Sequence, residues 1–235
     1  MLRFSSSPSH QPEAQSNAGL LLSKHLWLRA LDLLFPPRCA GCGRVDTAWC
    51  SACQHEIDQI PFPPVQHLDA DSRLRALAAT GPHDSKLQHV IWSLKFENNR
   101  AMAVPLGQRM STRLAQLDWT IDMLVPVPLH MKRLRERGYN QSTLLAEHIA
   151  LMQTIPLQPQ AIHREIETRT QVGLDAQQRQ QNVAGAFIAD PSIVTRKTIL
   201  LIDDVYTTGA TMTACAQAAL DAGATAVYGL TASKA

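Results

Sequence analysis

Residues 199–211 read Ile-Leu-Leu-Ile-Asp-Asp-Val-Tyr-Thr-Thr-Gly-Ala-Thr, and their order restricts the fold more than any other stretch of the chain. Four consecutive apolar residues, Ile199 to Ile202, predict a buried strand. Two carboxylates follow, Asp203 and Asp204, then Thr207, Thr208, Gly209, Ala210 and Thr211, and then an Ala-rich helix over Met212 to Ala222. A loop that opens a helix presents unpaired backbone N–H groups at the positive end of the helix dipole, which suits a phosphate. Gly209 lets the backbone approach such a group closely, and the threonine hydroxyls add donors. Acids at a strand's carboxyl end stand where open α/β sheets bind ligands. They can accept from sugar hydroxyls or hold Mg²⁺. The stretch therefore asks for a ligand with both a phosphate and a diol. The plain alternative is a buried strand before an ordinary capped helix, with both acids solvated. Gly-x-Gly-x-x-Gly is absent and no Gly-Lys-Ser/Thr follows, so neither a dinucleotide fingerprint nor a P-loop is present.

Four of the five cysteines stand together as Cys39-Ala-Gly-Cys42 and Cys50-Ser-Ala-Cys53. Two Cys-x-x-Cys pairs supply four thiolates for tetrahedral Zn²⁺, leaving no open catalytic position. The seven residues between the pairs are fewer than the usual gap of roughly fifteen to twenty, so a compact knuckle is expected rather than a larger ribbon. Two disulfides are the rival in an oxidising compartment, and a redox Cys-x-x-Cys needs a thioredoxin-like context that the neighbouring sequence lacks. Cys215 falls on the helix after the phosphate loop and reads as a small buried hydrophobe.

The chain has 235 residues, 45% of them apolar, enough for one α/β domain and a small module. Its net charge of +2 does not by itself announce nucleic acid. No run of eighteen apolar residues occurs and the N-terminus lacks a secretion-signal core, so a cytoplasmic protein is expected. Residues 1–18 read as a disordered tail, 19–35 as an amphipathic helix packing on its own protein or on a membrane surface, 36–60 as the zinc knuckle and 61–73 as a proline-marked linker. From 74 to 235, strands at Leu77–Thr80, Ile121–Val127, Ile162–Glu165, Lys197–Ile202 and Ala226–Leu230 alternate with helices at Leu87–Phe96, Ala101–Leu117 and Gln141–Met152. That pattern predicts a doubly wound parallel sheet.

Two further stretches carry chemistry. Between the Ile121–Val127 strand and its helix, Lys132, Arg133, Arg135 and Arg137 concentrate positive charge. A solvated basic helix is one reading; a ligand-facing segment is the other, since arginine forks suit phosphate oxygens. The same charges also suit a nucleic-acid backbone, for which Tyr139 and Trp49 are the nearby stacking candidates. Residues 169–187, with Gln171, Arg179 and Asn182, form a long polar segment that reads as a lid or as an ordinary surface loop.

Residues 199–211 resemble the 5-phosphoribosyl-1-pyrophosphate (PRPP) motif of type I phosphoribosyltransferases. That resemblance implies that Asp203 and Asp204 hold the ribose hydroxyls and are the best catalytic candidates. It implies that Thr207, Thr208, Gly209, Ala210 and Thr211 hold the 5′-phosphate, that Mg²⁺ rides on PRPP, and that Arg133, Arg135 and Arg137 meet pyrophosphate. The order of a four-cysteine knuckle, Leu94-Lys95-Phe96, Val125-Pro-Val-Pro128, Arg137-Gly-Tyr-Asn-Gln141, Gln171…Leu174…Arg179…Asn182 and the PRPP motif is similar to the competence protein F (ComF) family. This implies a type I phosphoribosyltransferase-like fold acting in DNA uptake. Two functions follow: an enzyme transferring phosphoribosyl to an acceptor that no residue identifies, or a non-enzymatic module that binds single-stranded DNA and competence proteins on the same fold.

Overall fold

The computed structural model of the chain describes residues 36–68, 73–165 and 185–235. The expected tail, the expected helix over 19–35 and the lid residues Gln171, Arg179 and Asn182 lie outside the described residues. The described elements are α1 (Ser51–Asp58), β1 (Gln66–His67), β2 (Ala76–Ala79), α2 (Ser85–Phe96), α3 (Ala103–Leu114), β3 (Met123–Pro126), α4 (Met131–Arg137), α5 (Gln141–Gln153), β4 (Ile162–Arg164), β5 (Phe187–Ala189), α6 (Pro191–Val194), β6 (Thr198–Tyr206), α7 (Ala210–Asp221) and β7 (Ala226–Lys234).

The run Ile199 to Ile202 explains the architecture. Its residues alternate between two separate cores: Leu200 and Ile202 pack with α2, α3 and α5 through Leu87, Ile91, Leu106, Met110, Leu145 and Ile149. Ile199 and Leu201 pack on the other face, with Met212, Cys215, Ala216 and Ala219 of α7 and with Ile162 and Phe187 of β4 and β5. A strand covered on both faces belongs inside a parallel sheet. The sheet order is β1-β2-β7-β6-β3, with β2, β7, β6 and β3 mutually parallel and only the edge strand β1 antiparallel. This is the α/β, type I phosphoribosyltransferase-like sheet that the sequence predicts, with the four-cysteine module at its N-terminal side. Cys215 is fully buried, as a small hydrophobe should be.

Several boundaries differ from expectation. β6 does not stop at Ile202 but continues to Tyr206, because β7 extends equally far and pairs Asp203 with Thr231, Val205 with Ser233 and Tyr206 with Lys234. Cross-strand pairing overrides the poor strand propensity of aspartate, so both acids belong to the strand and not to the loop after it. α7 begins at Ala210, and α3 ends at Leu114 rather than Leu117. The basic stretch is a helix, α4, closed by Gly138 at φ 77°, in the left-handed region that glycine tolerates.

The N-terminal module is fastened to the sheet domain. Ile57 of α1 joins the core formed by Leu87 and Ile91 of α2, and Glu56 pairs with Lys86. Within the stretch expected as a linker, β1 pairs with β2. Arg109 donates to the carbonyls of Ile60 and Thr80 at 2.5 and 2.7 Å, and Arg113 to that of Pro63 at 2.7 Å. Both guanidinium groups stack on Phe62, at 4.8 and 5.3 Å from its ring centre.

Candidate functional site

β6 outruns β3, which pairs only as far as Pro126 with Ile202. Asp203 and Asp204 therefore emerge at the carboxyl edge of the sheet, at the floor of a cavity of about 720 Å³. The Thr207–Thr211 turn, which leads from β6 into α7, lines this cavity, as do Arg133, Arg137 and Gln141. Arg164 of β4, His83, which precedes α2, Lys95 of α2 and Glu136 of α4 also line it.

The two acids differ in setting. Asp204 is 3% exposed; its Oδ1 meets Nζ of Lys95 at 2.9 Å, while its Oδ2 has no hydrogen-bond partner among the described residues. An orphaned buried carboxylate oxygen facing a cavity is a costly feature unless a ligand satisfies it. Asp203 Oδ1 accepts from Ser142 Oγ at 2.8 Å and from its neighbour's backbone N–H at 2.9 Å. Burial and the adjacent Asp204 push the Asp203 carboxyl up to about 7, against the pull of Lys95 and Ser142. A divalent cation or a sugar diol would supply the donors or charge this pair lacks, so the residues fit either.

Gly209 caps α7 at φ 77°, and a side chain there would overlap the Tyr206 hydroxyl. The tight turn brings the start of α7 to the cavity, with Thr207 and Thr208 exposed beside it.

The basic helix splits by phase. Arg133 and Arg137 lie one turn apart and face the cavity, whereas Arg135 is exposed and absent from its lining. A helix places residue 135 on the far side of the 133–137 face, so two of the three expected arginines line the cavity. Arg137 is half-buried, donates to Gln141, and lies 5.4 Å from the Phe96 ring centre. Tyr139 and Asn140 fix this wall: Tyr139 is 6% exposed and its hydroxyl donates to the Leu94 carbonyl. Asn140 caps α5 by accepting from the Ser142 N–H at 3.0 Å and donates to the Val127 carbonyl at 2.9 Å.

Tyr139 is thus a buried anchor with Arg100 over its ring, and Trp49 is part-buried and donates its indole N–H to Gln54 at 2.7 Å. Among the described residues the large exposed rings are Trp92 and Phe96, on a helix whose apolar residues read as core. Ser142, His83 and Arg164 also enter only through the fold. The motif Leu94-Lys95-Phe96 was the sole local signal for Lys95 and Phe96.

The four cysteine sulfurs converge within 4.8 Å of one another. Cys42 and Cys50 stand 3.8 Å apart, near the edge of about 3.8 Å implied by four Zn–S bonds of roughly 2.3 Å. The Cys50 N–H points at Cys39 Sγ at 3.4 Å and the Cys53 N–H at Cys50 Sγ at 3.5 Å, the donors that a metal-bound thiolate needs. All five cysteines are free of disulfides.

Residues 30–65 match the double zinc ribbon domain family, so the segment belongs to a ribbon class that the short spacing argued against; its four cysteines suffice for one ion. Over 184 residues the chain is 30% identical to competence protein F of Haemophilus influenzae, covering 69% of this chain and 80% of that protein. It is 28% identical over 194 residues to the DNA utilization protein YhgH of Escherichia coli K12, covering 80% and 85%. The Salmonella typhimurium protein of the same name is 30% identical over 198 residues, covering 80% and 85%. No described helix is long and apolar enough to cross a membrane.

Proposed function

The chain belongs to the competence protein F family, and from that footing we propose that it binds Mg·PRPP and transfers its phosphoribosyl group, in the service of DNA uptake or utilisation. One observation carries the reading: a single cavity is lined by an acid pair, a glycine-capped helix start and two arginines. Each matches one part of PRPP. The Thr207–Thr211 turn takes the 5′-phosphate through backbone N–H groups and hydroxyls. Asp203 and Asp204 accept from the ribose diol, and Asp204 Oδ2 gains the partner it lacks. Arg133 and Arg137 receive the pyrophosphate, whose charge grows as the bond to C1 breaks. Mg²⁺ arrives with the substrate and shares that charge. Holding the sugar at both ends orients C1 for attack.

A second reading, a module that holds single-stranded DNA without turnover, draws on the names of the relatives and on Arg135, which faces away from the cavity. Two variants separate them. Arg133→Ala with Arg137→Ala should weaken Mg·PRPP binding about a hundredfold, at roughly 1.4 kcal/mol for each charge-assisted contact. Arg135→Ala should leave that affinity in place. Loss of oligonucleotide binding in Arg135→Ala, with no PRPP binding by the parent chain, would favour the second reading.

A further inference from the structure

The four clustered cysteines are not equivalent. Cys39, Cys50 and Cys53 are buried, whereas Cys42 is exposed. Cys39 Sγ accepts from the Cys50 N–H and Cys50 Sγ from the Cys53 N–H. Such donors stabilise a thiolate and so reduce its intrinsic nucleophilicity. Among the described residues no backbone N–H is directed at Cys42 Sγ, whose partner is Cys50 Sγ at 3.8 Å. Cys42 is thus the sulfur most open to solvent, and it lacks the backbone donors that hold Cys39 and Cys50. Access and nucleophilicity together decide where an oxidant strikes.

We propose that this module is a peroxide-sensitive switch, with Cys42 as the sulfur that reacts and Cys50 as the one that resolves. The Cys42 thiolate attacks hydrogen peroxide: an S–O bond forms, the O–O bond breaks, and hydroxide leaves and is protonated to water. The Cys50 thiolate then attacks the Cys42 sulfenic acid: an S–S bond forms, the S–O bond breaks, and a second water leaves. Two electrons pass from the two sulfurs to the peroxide, and solvent supplies two protons. The bridge takes two of the four ligands from a zinc ion held there, which releases it. It also changes α1, because Cys50 is the N-cap of that helix and its sulfur accepts from the Cys53 N–H. A neutral disulfide is a poorer cap than a thiolate. Two ties carry the change toward the large cavity. Ile57 of α1 packs with Leu87 and Ile91 of α2, the helix that brings Lys95 to Asp204. Arg109 holds the Ile60 carbonyl, just past α1, together with that of Thr80, at the start of the turn that presents His83 to the cavity. The switch is independent of which ligand that cavity takes.

The zinc-loaded full chain is treated with hydrogen peroxide in stoichiometric steps. A chromogenic chelator reads zinc release, peptide mapping after alkylation reads the bridge, and hydrogen exchange reads α2. The expected result is loss of zinc in step with a Cys42–Cys50 bridge, faster exchange of α2 amides, and Cys215 untouched. Dithiothreitol with added Zn²⁺ should restore both the metal and the protection. Cys42→His keeps four ligands of kinds that zinc accepts, and should release the metal at least about tenfold more slowly than the parent at the same peroxide. Zinc retained under excess peroxide overturns the proposal, as does a first bridge between any other pair or oxidation that dithiothreitol cannot reverse. So does a zinc-loaded Cys42→His chain that releases metal at the parent's rate; if that variant does not hold zinc, the bridge map of the parent decides alone. Zinc release that leaves α2 exchange unchanged overturns the link to the cavity.

Discussion

Nζ of Lys95 stands 2.9 Å from Oδ1 of Asp204, joining the penultimate residue of α2 to the second of the two acids on β6. The Asp204 side chain is 4% exposed, so the pair is largely shielded from water. Lys95→Met should destabilise the chain by about 3–5 kcal/mol, because it leaves a buried carboxylate uncompensated. Urea unfolding measures it, and Lys95→Arg should recover part of the loss. A change below about 1 kcal/mol would mean the pair is solvated.

Asp203 sets a pH dependence. Its carboxyl is raised to about 7 by burial and by Asp204, so the charged form that accepts from a diol prevails only above that value. PRPP affinity should fall about tenfold for each pH unit below 7, and Asp203→Asn should flatten that slope. Stability runs the other way. A carboxyl whose folded pKa lies above its unfolded value contributes stability fully below about pH 4, and loses it as pH rises through 7. Urea titrations at pH 5 and pH 8 check the sign.

Zinc should matter beyond its own module. Ile57 packs with Leu87 and Ile91, and Glu56 pairs with Lys86, so α1 supports the helix that carries Lys95. Chelation, or Cys39→Ser, should lower Tm and shed the metal. Hydrogen exchange should show faster exchange in α2 amides, with those of α7 unchanged. A full zinc complement in Cys39→Ser would refute the four-cysteine site.

Gly209→Ala tests the turn. The position has φ 77° and no room beside Tyr206. The variant should cost about 1–3 kcal/mol of stability and weaken phosphate binding, while Ala218→Gly, in the body of α7, should cost only about 1 kcal/mol and spare binding.

What the sequence made legible was local. The alternation hidden in Ile199 to Ile202, the glycine-capped start of α7 and the paired cysteines each occupy a short window whose chemistry is self-contained. What escaped was set by distant partners. β6 runs on through Asp203 and Asp204 because β7, some thirty residues later, is equally long. Lys95 and Ser142 reach the acids from α2 and α5, separated from them by 109 and 61 positions. Arg135 falls outside the cavity lining because charge read along the sequence ignores helical phase, and Trp92 and Phe96 are exposed because the rule that apolar helix residues are buried holds only where something covers them.

The most direct test of the account is a calorimetric titration of Mg·PRPP into the zinc-loaded chain, with ribose 5-phosphate as the control and Asp203→Asn beside the parent. The account predicts saturable binding that prefers PRPP over ribose 5-phosphate and falls at least about tenfold in Asp203→Asn, which keeps the Lys95–Asp204 pair and should stay folded. Equal binding of the two ligands, or an Asp203→Asn variant with the parent's affinity, would contradict it.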